Sequence, residues 1–357
     1  MHAMYDSILI TGGAGFIGSS LAVFLKKKFP SAEVICFDNL KRRGSEGNLP
    51  RLKEAGVRFF HGDVREEEDF ESLPPFDLMV ECSAEPSVLA GVTSSPRYVL
   101  NTNLFGTVRC LEEVRKNDAD MIFLSTSRVY PYRLINSLPY VEEETRFSLG
   151  ENPRLPGVST SGINEEFPLQ GPRSLYGATK LCSEYVIGEY IDSYGIRAVI
   201  NRCGLVSGPW QMGKVDQGVV MLWTACHIFG KNLAYFGYNG TGKQVRDVLH
   251  VDDLCGLVAI QIERIREMNG EIFNVGGGAG NSISLREMTS LCRQVTGATI
   301  PISSEPVNRP NDLVWYITDN AKVRRSCGWQ PEKTVKETIT DISRWIQANK
   351  HLVSNIF

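Results

Sequence analysis

A chain of 357 residues with 42% hydrophobic content is long enough to bury a sizeable core in one large or two unequal domains. Its formal charge of −3 is mixed along the sequence, which leaves no electrostatic footprint for nucleic acid or an anionic membrane. Nine cysteines without paired spacing argue for reduced thiols in a cytoplasmic protein, and five histidines that never fall at ligand spacing give no metal site.

Met1 to Ile10 lacks the basic stretch, apolar core and cleavage site of a signal peptide. Ser7-Ile8-Leu9-Ile10-Thr11 reads as a short strand that stops at Gly12-Gly13-Ala14-Gly15-Phe16-Ile17-Gly18 and resumes as an apolar helix through Leu25. Strand, glycine turn and helix in that order make a pyrophosphate cradle. A side chain at Gly12, Gly15 or Gly18 would hold the anion away from the helix amino terminus, whose unpaired N–H groups and dipole favour it. A second strand, Glu33 to Phe37, ends on Asp38, twenty residues after Gly18. A carboxylate there can accept both ribose hydroxyls of NAD and would repel the extra phosphate of NADP, although Arg42 and Arg43 close by are the residues that would favour NADP. A third strand, Val57 to Phe60, leads to Asp63-Val64, placed to flank the adenine, and Leu78 to Val80 is a fourth.

Asn103 to Lys116 has a helical period, and the strand Met121 to Leu124 runs into Ser125-Thr126-Ser127-Arg128-Val129-Tyr130. A hydroxyl at that strand end can hold a substrate hydroxyl while a base removes its proton. The base is Tyr176, which opens a helix to Tyr194 and stands one turn before Lys180 on the same face. A free phenol titrates near about 10, so it acts at neutral pH only beside positive charge, which Lys180 and a nicotinamide cation supply. Arg197 to Arg202 and Glu271 to Val275 add strands, and the apolar segment Val219 to Phe229 is too short to span a bilayer. Strands alternating with helices predict an α/β chain with a Rossmann-type doubly wound parallel sheet. Residues 1–205 and 243–277 are expected to form the NAD-binding domain, and 206–242 with 278–357 a smaller C-terminal substrate-binding lobe.

The order Gly-Gly-Ala-Gly-Phe-Ile-Gly, Phe37-Asp38-Asn39-Leu40, Gly62-Asp63, Asn103 with Gly106-Thr107, Thr126 to Tyr130 and Tyr176 to Lys180 resembles the extended short-chain dehydrogenase/reductase family over nearly the whole chain. The resemblance implies that Thr126, Tyr176 and Lys180 are catalytic and that NAD is the cofactor. It places Gly12, Gly15, Phe16, Ile17 and Gly18 around the pyrophosphate, with Asp38, Asn39, Asp63 and Val64 at the adenosine end. Cys82 and Ala84, where His-Leu-Ala is usual, then lie near the nicotinamide with Asn103, Tyr176 and Lys180. Sugar-nucleotide dehydratases of the family carry Asp-Glu after the threonine to eliminate water. Ser127 and Arg128 stand there instead, which implies oxidation and return of hydride, the chemistry of an epimerase.

Gly242 to His250 resembles the family segment whose arginine, here Arg246, grips the sugar-nucleotide diphosphate; Arg309, followed by Asp312, resembles a second such position. Ser127, Arg128 and Gln217 are the other expected substrate contacts, while Phe236 and Tyr238 either stack on the base or sit in a core. Within the family these segments, with the insertion Pro131 to Pro172, are most similar to epimerases acting at carbon 2 of a CDP-hexose. A UDP-hexose 4-epimerase, a sugar-nucleotide dehydratase and a non-catalytic NAD-binding regulator remain open alternatives. The implied setting is cytoplasmic polysaccharide biosynthesis by a homodimer that pairs through the helices 103–116 and 176–194, with no nucleic-acid or membrane partner.

Overall fold

The structure, a computed structural model, describes residues 5–92, 94–151, 153–212 and 218–353. It divides into two compact units, one of Met1–Val129, Leu175–Arg202 and Cys255–Phe273, the other of Tyr130–Ser174, Cys203–Leu254 and Asn274–Phe357.

In the first unit the apolar runs become strands β1 (Ser7–Thr11), β2 (Glu33–Asp38), β3 (Arg58–His61), β4 (Leu78–Glu81), β5 (Asp120–Thr126), β6 (Ala198–Cys203) and β7 (Ile272–Val275). They form one sheet in the order β7-β6-β5-β4-β1-β2-β3. The pairings β5 with β4, β4 with β1, β1 with β2 and β2 with β3 are all parallel. Parallel neighbours need crossovers, and helices α1 (Phe16–Lys28), α2 (Gly106–Lys116) and α3 (Leu175–Tyr194) belong to them. The expected Rossmann-type doubly wound sheet is therefore present. Every residue of β1 and of β5 is buried, as a sheet covered on both faces requires. Leu9, Ile35, Phe37, Met79, Met121 and Phe123 pack with Leu111 and Val114 of α2 and Ile187 of α3.

The strand order reverses at β1, and such a reversal opens a crevice beyond the carboxyl ends of the two strands beside it. Those ends are Thr11 of β1 and Glu81 of β4, which are paired. The helix expected from Asn103 begins instead with a wide π-type turn over Asn101–Phe105 before α2. No described helix is long and apolar enough to cross a membrane.

The second unit centres on Val245–His250, which pairs in parallel with Leu205–Ser207 and with Trp315–Tyr316 and antiparallel with Ser282–Ser284. Helices Val219–Phe229, Leu285–Thr296 and Val335–Ala348 enclose its core around Met221, Trp223, Met288, Ile339 and Ile342. The last two open on capping boxes, Ser284 with Glu287 and Thr334 with Glu337. The division differs from the one expected from sequence, because residues 130–174, 203–205, 243–254 and 274–277 fall in this unit. Val245–His250 pairs with this smaller sheet rather than the seven-stranded one. Within the 130–174 segment the Tyr130 hydroxyl donates to Asn274 Oδ1 (2.8 Å), and the Ile163 amide donates to the Ile317 carbonyl (2.8 Å).

Candidate active site

The glycine turn follows β1 as expected, but its glycines serve different ends. Gly12 has φ +63°, and a Cβ there would lie 2.8 Å from the Ser83 amide nitrogen, so only glycine lets the turn after β4 approach. At Gly18 a Cβ would meet the Gly12 carbonyl oxygen at 2.2 Å, so this residue packs α1 under the turn. Gly15 is the open one, with only the Gly12 oxygen nearby at 3.1 Å. It is the N-cap of α1, no side chain caps the helix, and the first turn through Phe16 and Ile17 carries no acid, which leaves its dipole and amides for an anion. Gly13, not singled out in the sequence, is as constrained as Gly18, since a Cβ would lie 2.5 Å from that of Cys36.

Asp38 closes β2, half-buried, and accepts from the amides of Ala14 (3.1 Å) and Leu40 (2.8 Å). It thus ties the glycine turn to the second strand and keeps lone pairs for a ligand. Burial pushes its carboxyl up from the ordinary range, against the pull of the Leu40, Ala14 and Gly15 amides. Asn39 donates to Asp63 Oδ2 (2.7 Å), which Arg65 also pairs at 2.5 Å. Burial opposes ionisation of Asp63, but Arg65 and Asn39 outweigh it and hold the carboxyl at about 2. Val64 is buried next to this pair.

Across the crevice, Thr126 ends β5 and is buried, and its hydroxyl accepts from the Arg128 amide (3.2 Å), which leaves its own proton to donate. Ser127 and Arg128, both half-buried, form a single 3-10 turn with Val129. Tyr176 lies half-buried in the first turn of α3, and Lys180 one turn on is buried. The Lys180 Nζ has no hydrogen-bond acceptor among the described residues and lies 4.1 Å from the centre of the Phe123 ring. An ammonium so placed fits the hydroxyls of a nicotinamide ribose, and with the first turn of α1, which no side chain caps, it makes this unit suited to NAD.

Two residues set this geometry without having stood out in that part in the sequence. A Cβ on Gly177 would lie 2.0 Å from the Arg128 carbonyl oxygen, so the glycine presses α3 directly onto the turn after Thr126. Asn103, expected beside the cofactor, is fully buried: its amide exchanges hydrogen bonds with the Glu85 backbone (2.7 and 3.0 Å) and donates to Thr179 Oγ1 (3.3 Å). Thr179 in turn donates to the Tyr176 carbonyl (2.8 Å), so Asn103 staples the segment that follows Cys82 and Ala84 to the turn carrying Tyr176. The signal for Gly177 was a glycine in the first turn of a helix, where it weakens the helix unless a neighbour needs the space. Cys82 and Ala84 are half-buried, and the Cys82 amide donates to the Thr11 carbonyl (3.1 Å).

The expected substrate arginines lie in the second unit. Arg246 donates to Asp312 Oδ1 (2.9 Å) and to the carbonyls of Leu313 (2.7 Å) and Val245 (2.7 Å). A guanidinium has five N–H donors, so two remain for phosphate oxygens. Arg309 is half-buried with its guanidinium 3.8 Å over the Phe236 ring, an arrangement that holds an aromatic face and a positive charge together. Tyr238 is half-buried and makes an edge contact with Phe147. Gln217 lies outside the described residues.

A family model described as NAD dependent epimerase/dehydratase matches residues 8–276. The chain is 31% identical to CDP-paratose 2-epimerase of Salmonella typhi, over 95% of this chain and 98% of that one. Among solved structures, UDP-glucose 4-epimerase of Thermus thermophilus in complex with NAD is 27% identical, with a TM-score of 0.76 over 96% of this chain and 99% of that one. The dTDP-glucose 4,6-dehydratase of Bacillus anthracis in complex with NAD is 25% identical, with a TM-score of 0.77 over 98% and 99%.

Proposed function

The chain belongs to the NAD-dependent epimerase/dehydratase family, and from that premise we propose that it epimerises a nucleotide-activated hexose, most nearly as CDP-paratose 2-epimerase does. The observation that carries the reading is the buried Lys180 Nζ, without a hydrogen-bond acceptor among the described residues and one turn from Tyr176. Thr126 holds a sugar hydroxyl with the proton its own hydroxyl has left to donate. Tyr176, as phenolate beside Lys180, takes the proton from that sugar hydroxyl. NAD, when bound, accepts the hydrogen and electron pair from the carbon bearing it and gives them back. Inversion follows if the keto sugar presents its other face before the return.

Ser127 and Arg128 offer no carboxyl to carry away a leaving hydroxyl, so elimination lacks its acid and base. Two free donors on Arg246 suit the diphosphate, and the identity to a CDP-sugar enzyme supports a CDP-hexose over a UDP-hexose. Nine cysteines without paired spacing support a reducing, cytoplasmic setting.

The test is incubation with CDP- and UDP-hexoses in deuterium oxide, followed by proton spectra of the product. An epimer of equal mass with no carbon-bound deuterium is expected, inverted at carbon 2. Inversion at carbon 4 would move the assignment to UDP-glucose 4-epimerase chemistry. Deuterium at the inverted carbon, or a product lighter by one water, would overturn the mechanism.

A further inference from the structure

Three segments that follow neighbouring strands of the seven-stranded sheet meet on one phenol ring. Tyr98 lies in the short helix Arg97–Leu100, in the crossover after β4. Lys41, from the loop after β2, has its Nζ 3.9 Å from the ring centre, and Arg65, from the loop after β3, has its guanidinium carbon 5.2 Å from it. Both cations are anchored behind the contact. Arg65 grips Asp63 through Nε to Oδ1 (2.9 Å) and Nη2 to Oδ2 (2.5 Å), and Asn39 donates to the same carboxylate at 2.7 Å. The Lys41 amide donates to Asn39 Oδ1 (2.9 Å), and Leu40 between them has a left-handed φ of +53°, held there as its amide donates to Asp38 Oδ1 (2.8 Å). A leucine takes that conformation only at a cost, so the turn that brings Lys41 to the ring is imposed by its surroundings. Those surroundings include Asp38 and Asp63, the two carboxylates at the adenosine end of the expected cofactor site.

We propose that Tyr98, held by Lys41 and Arg65, is a clamp that retains the adenosine end of NAD, and so a positioning residue for the cofactor. The contact offers the fold little. Lys41 is exposed and Tyr98 and Arg65 are half-buried, while two like charges drawn to one ring repel each other and each long side chain loses freedom. What the contact does is tie the loops after β2 and β3 to the helix after β4, directly beside Asp38 and Asp63. Loops tied in this way part less readily, and a ligand held by both carboxylates is released more slowly. Retention suits a reaction in which a hydride taken from a sugar returns to the same sugar, since release of the cofactor between the two steps would strand a keto sugar. The inference rests on Asp38 and Asp63 lying at the adenosine end.

The test uses no sugar, so its failure is distinct from a failure of the epimerase reading. Protein loaded with NADH is mixed with a large excess of NAD, and the loss of the bound NADH fluorescence gives the release rate. Tyr98→Ala should release NADH about tenfold faster than the parent with the association rate within about twofold, because a clamp acts on escape rather than on encounter. Tyr98→Phe keeps the ring and should follow the parent, and Lys41→Gln should release NADH about threefold faster. Release from Tyr98→Ala within about twofold of the parent would overturn the proposal, and so would Tyr98→Phe releasing as fast as Tyr98→Ala. Lys41 is exposed, so its substitution leaves the fold intact, and a Lys41→Gln release rate equal to the parent's would equally overturn it.

Discussion

Replacing Gly177 by alanine asks whether the catalytic geometry depends on direct contact between α3 and the turn after β5. The new Cβ would lie 2.0 Å from the carbonyl oxygen of Arg128 and 2.8 Å from its carbonyl carbon, and Cβ atoms essentially never come within 3.0 Å of a neighbour. Both obstacles are backbone, so no side-chain rotation relieves them. The first turn of α3 and the Ser127–Val129 turn must part by about 1 Å. Thr126 lies on one side of that gap, Tyr176 and Lys180 on the other, and a misplacement of this size costs on the order of 10²-fold in rate. Stability should fall less, since overpacking costs about 1–3 kcal/mol while alanine is preferred over glycine in a helix by about 1 kcal/mol. The measurements are kcat on the most active nucleotide sugar, NAD affinity and the urea midpoint. We expect kcat to drop about 100-fold with NAD affinity within about threefold of the parent, because the glycine turn and Asp38 are untouched. Turnover within about fivefold of the parent would refute the argument that this contact sets the geometry.

Tyr176→Phe should lower kcat by about 10²-fold to 10⁴-fold with NAD still bound, and substantial residual turnover would remove the phenol from the mechanism. Because burial raises the Asp38 carboxyl, it takes up a proton at a higher pH than an ordinary carboxylate, so NAD affinity should weaken in mildly acidic solution. Asp38→Asn should bind more weakly at neutral pH, by about tenfold or more, and show no such acid weakening; parallel profiles for the two proteins in a fluorescence titration would contradict this. Arg202→Met strands the Glu184 carboxylate that Arg202 now pairs at 2.7 Å in the interior, and urea unfolding should show a loss of about 3–5 kcal/mol, with a loss below about 1 kcal/mol counting against it. Phe105 and Tyr185 are 50% and 62% exposed at the start of α2 and along α3, so light scattering should give a dimer for the parent and a monomer for Phe105→Glu/Tyr185→Glu; a monomeric parent would sink the pairing.

The parts of this molecule that the sequence disclosed are those specified locally. Ser7–Thr11 is legible because a strand buried on both faces is a short apolar run, and Gly12 to Gly18 because glycine punctuates it. Tyr176 and Lys180 are legible because four residues make one helical turn. What stayed hidden depends on a partner distant in the chain. Val245–His250 reads as a strand whichever sheet it joins, and only its pairing with Leu205–Ser207 and Ser282–Ser284 puts it in the second unit. Gly177 gains its meaning from the Arg128 carbonyl, and Asn103 from Glu85 and Thr179. A charge after Leu78-Met79-Val80 reads in sequence as the point where a strand leaves the core, yet Glu81 is as buried as the residues before it.

The same long-range logic explains how the start of α3 is fixed against the end of β5. Glu184 lies one turn beyond Lys180 on α3, Ser125 precedes Thr126 on β5, and Arg202 is on β6. Arg202 donates to both Glu184 oxygens, through Nη2 at 2.7 Å and Nε at 3.1 and 3.2 Å, while the Ser125 hydroxyl donates to Oε1. A buried ion pair of this kind is a poor source of stability, because desolvating both charges cancels most of their attraction. Its directional bonds nevertheless fix what apolar packing leaves loose. Leu181 and Ile187 could keep their burial through a small rotation or slide of α3, but the fork of Arg202 on the Glu184 carboxylate could not keep its geometry. The residue before Thr126 and the residue one turn beyond Lys180 are thus joined to one another, and that join fixes α3 against the end of β5.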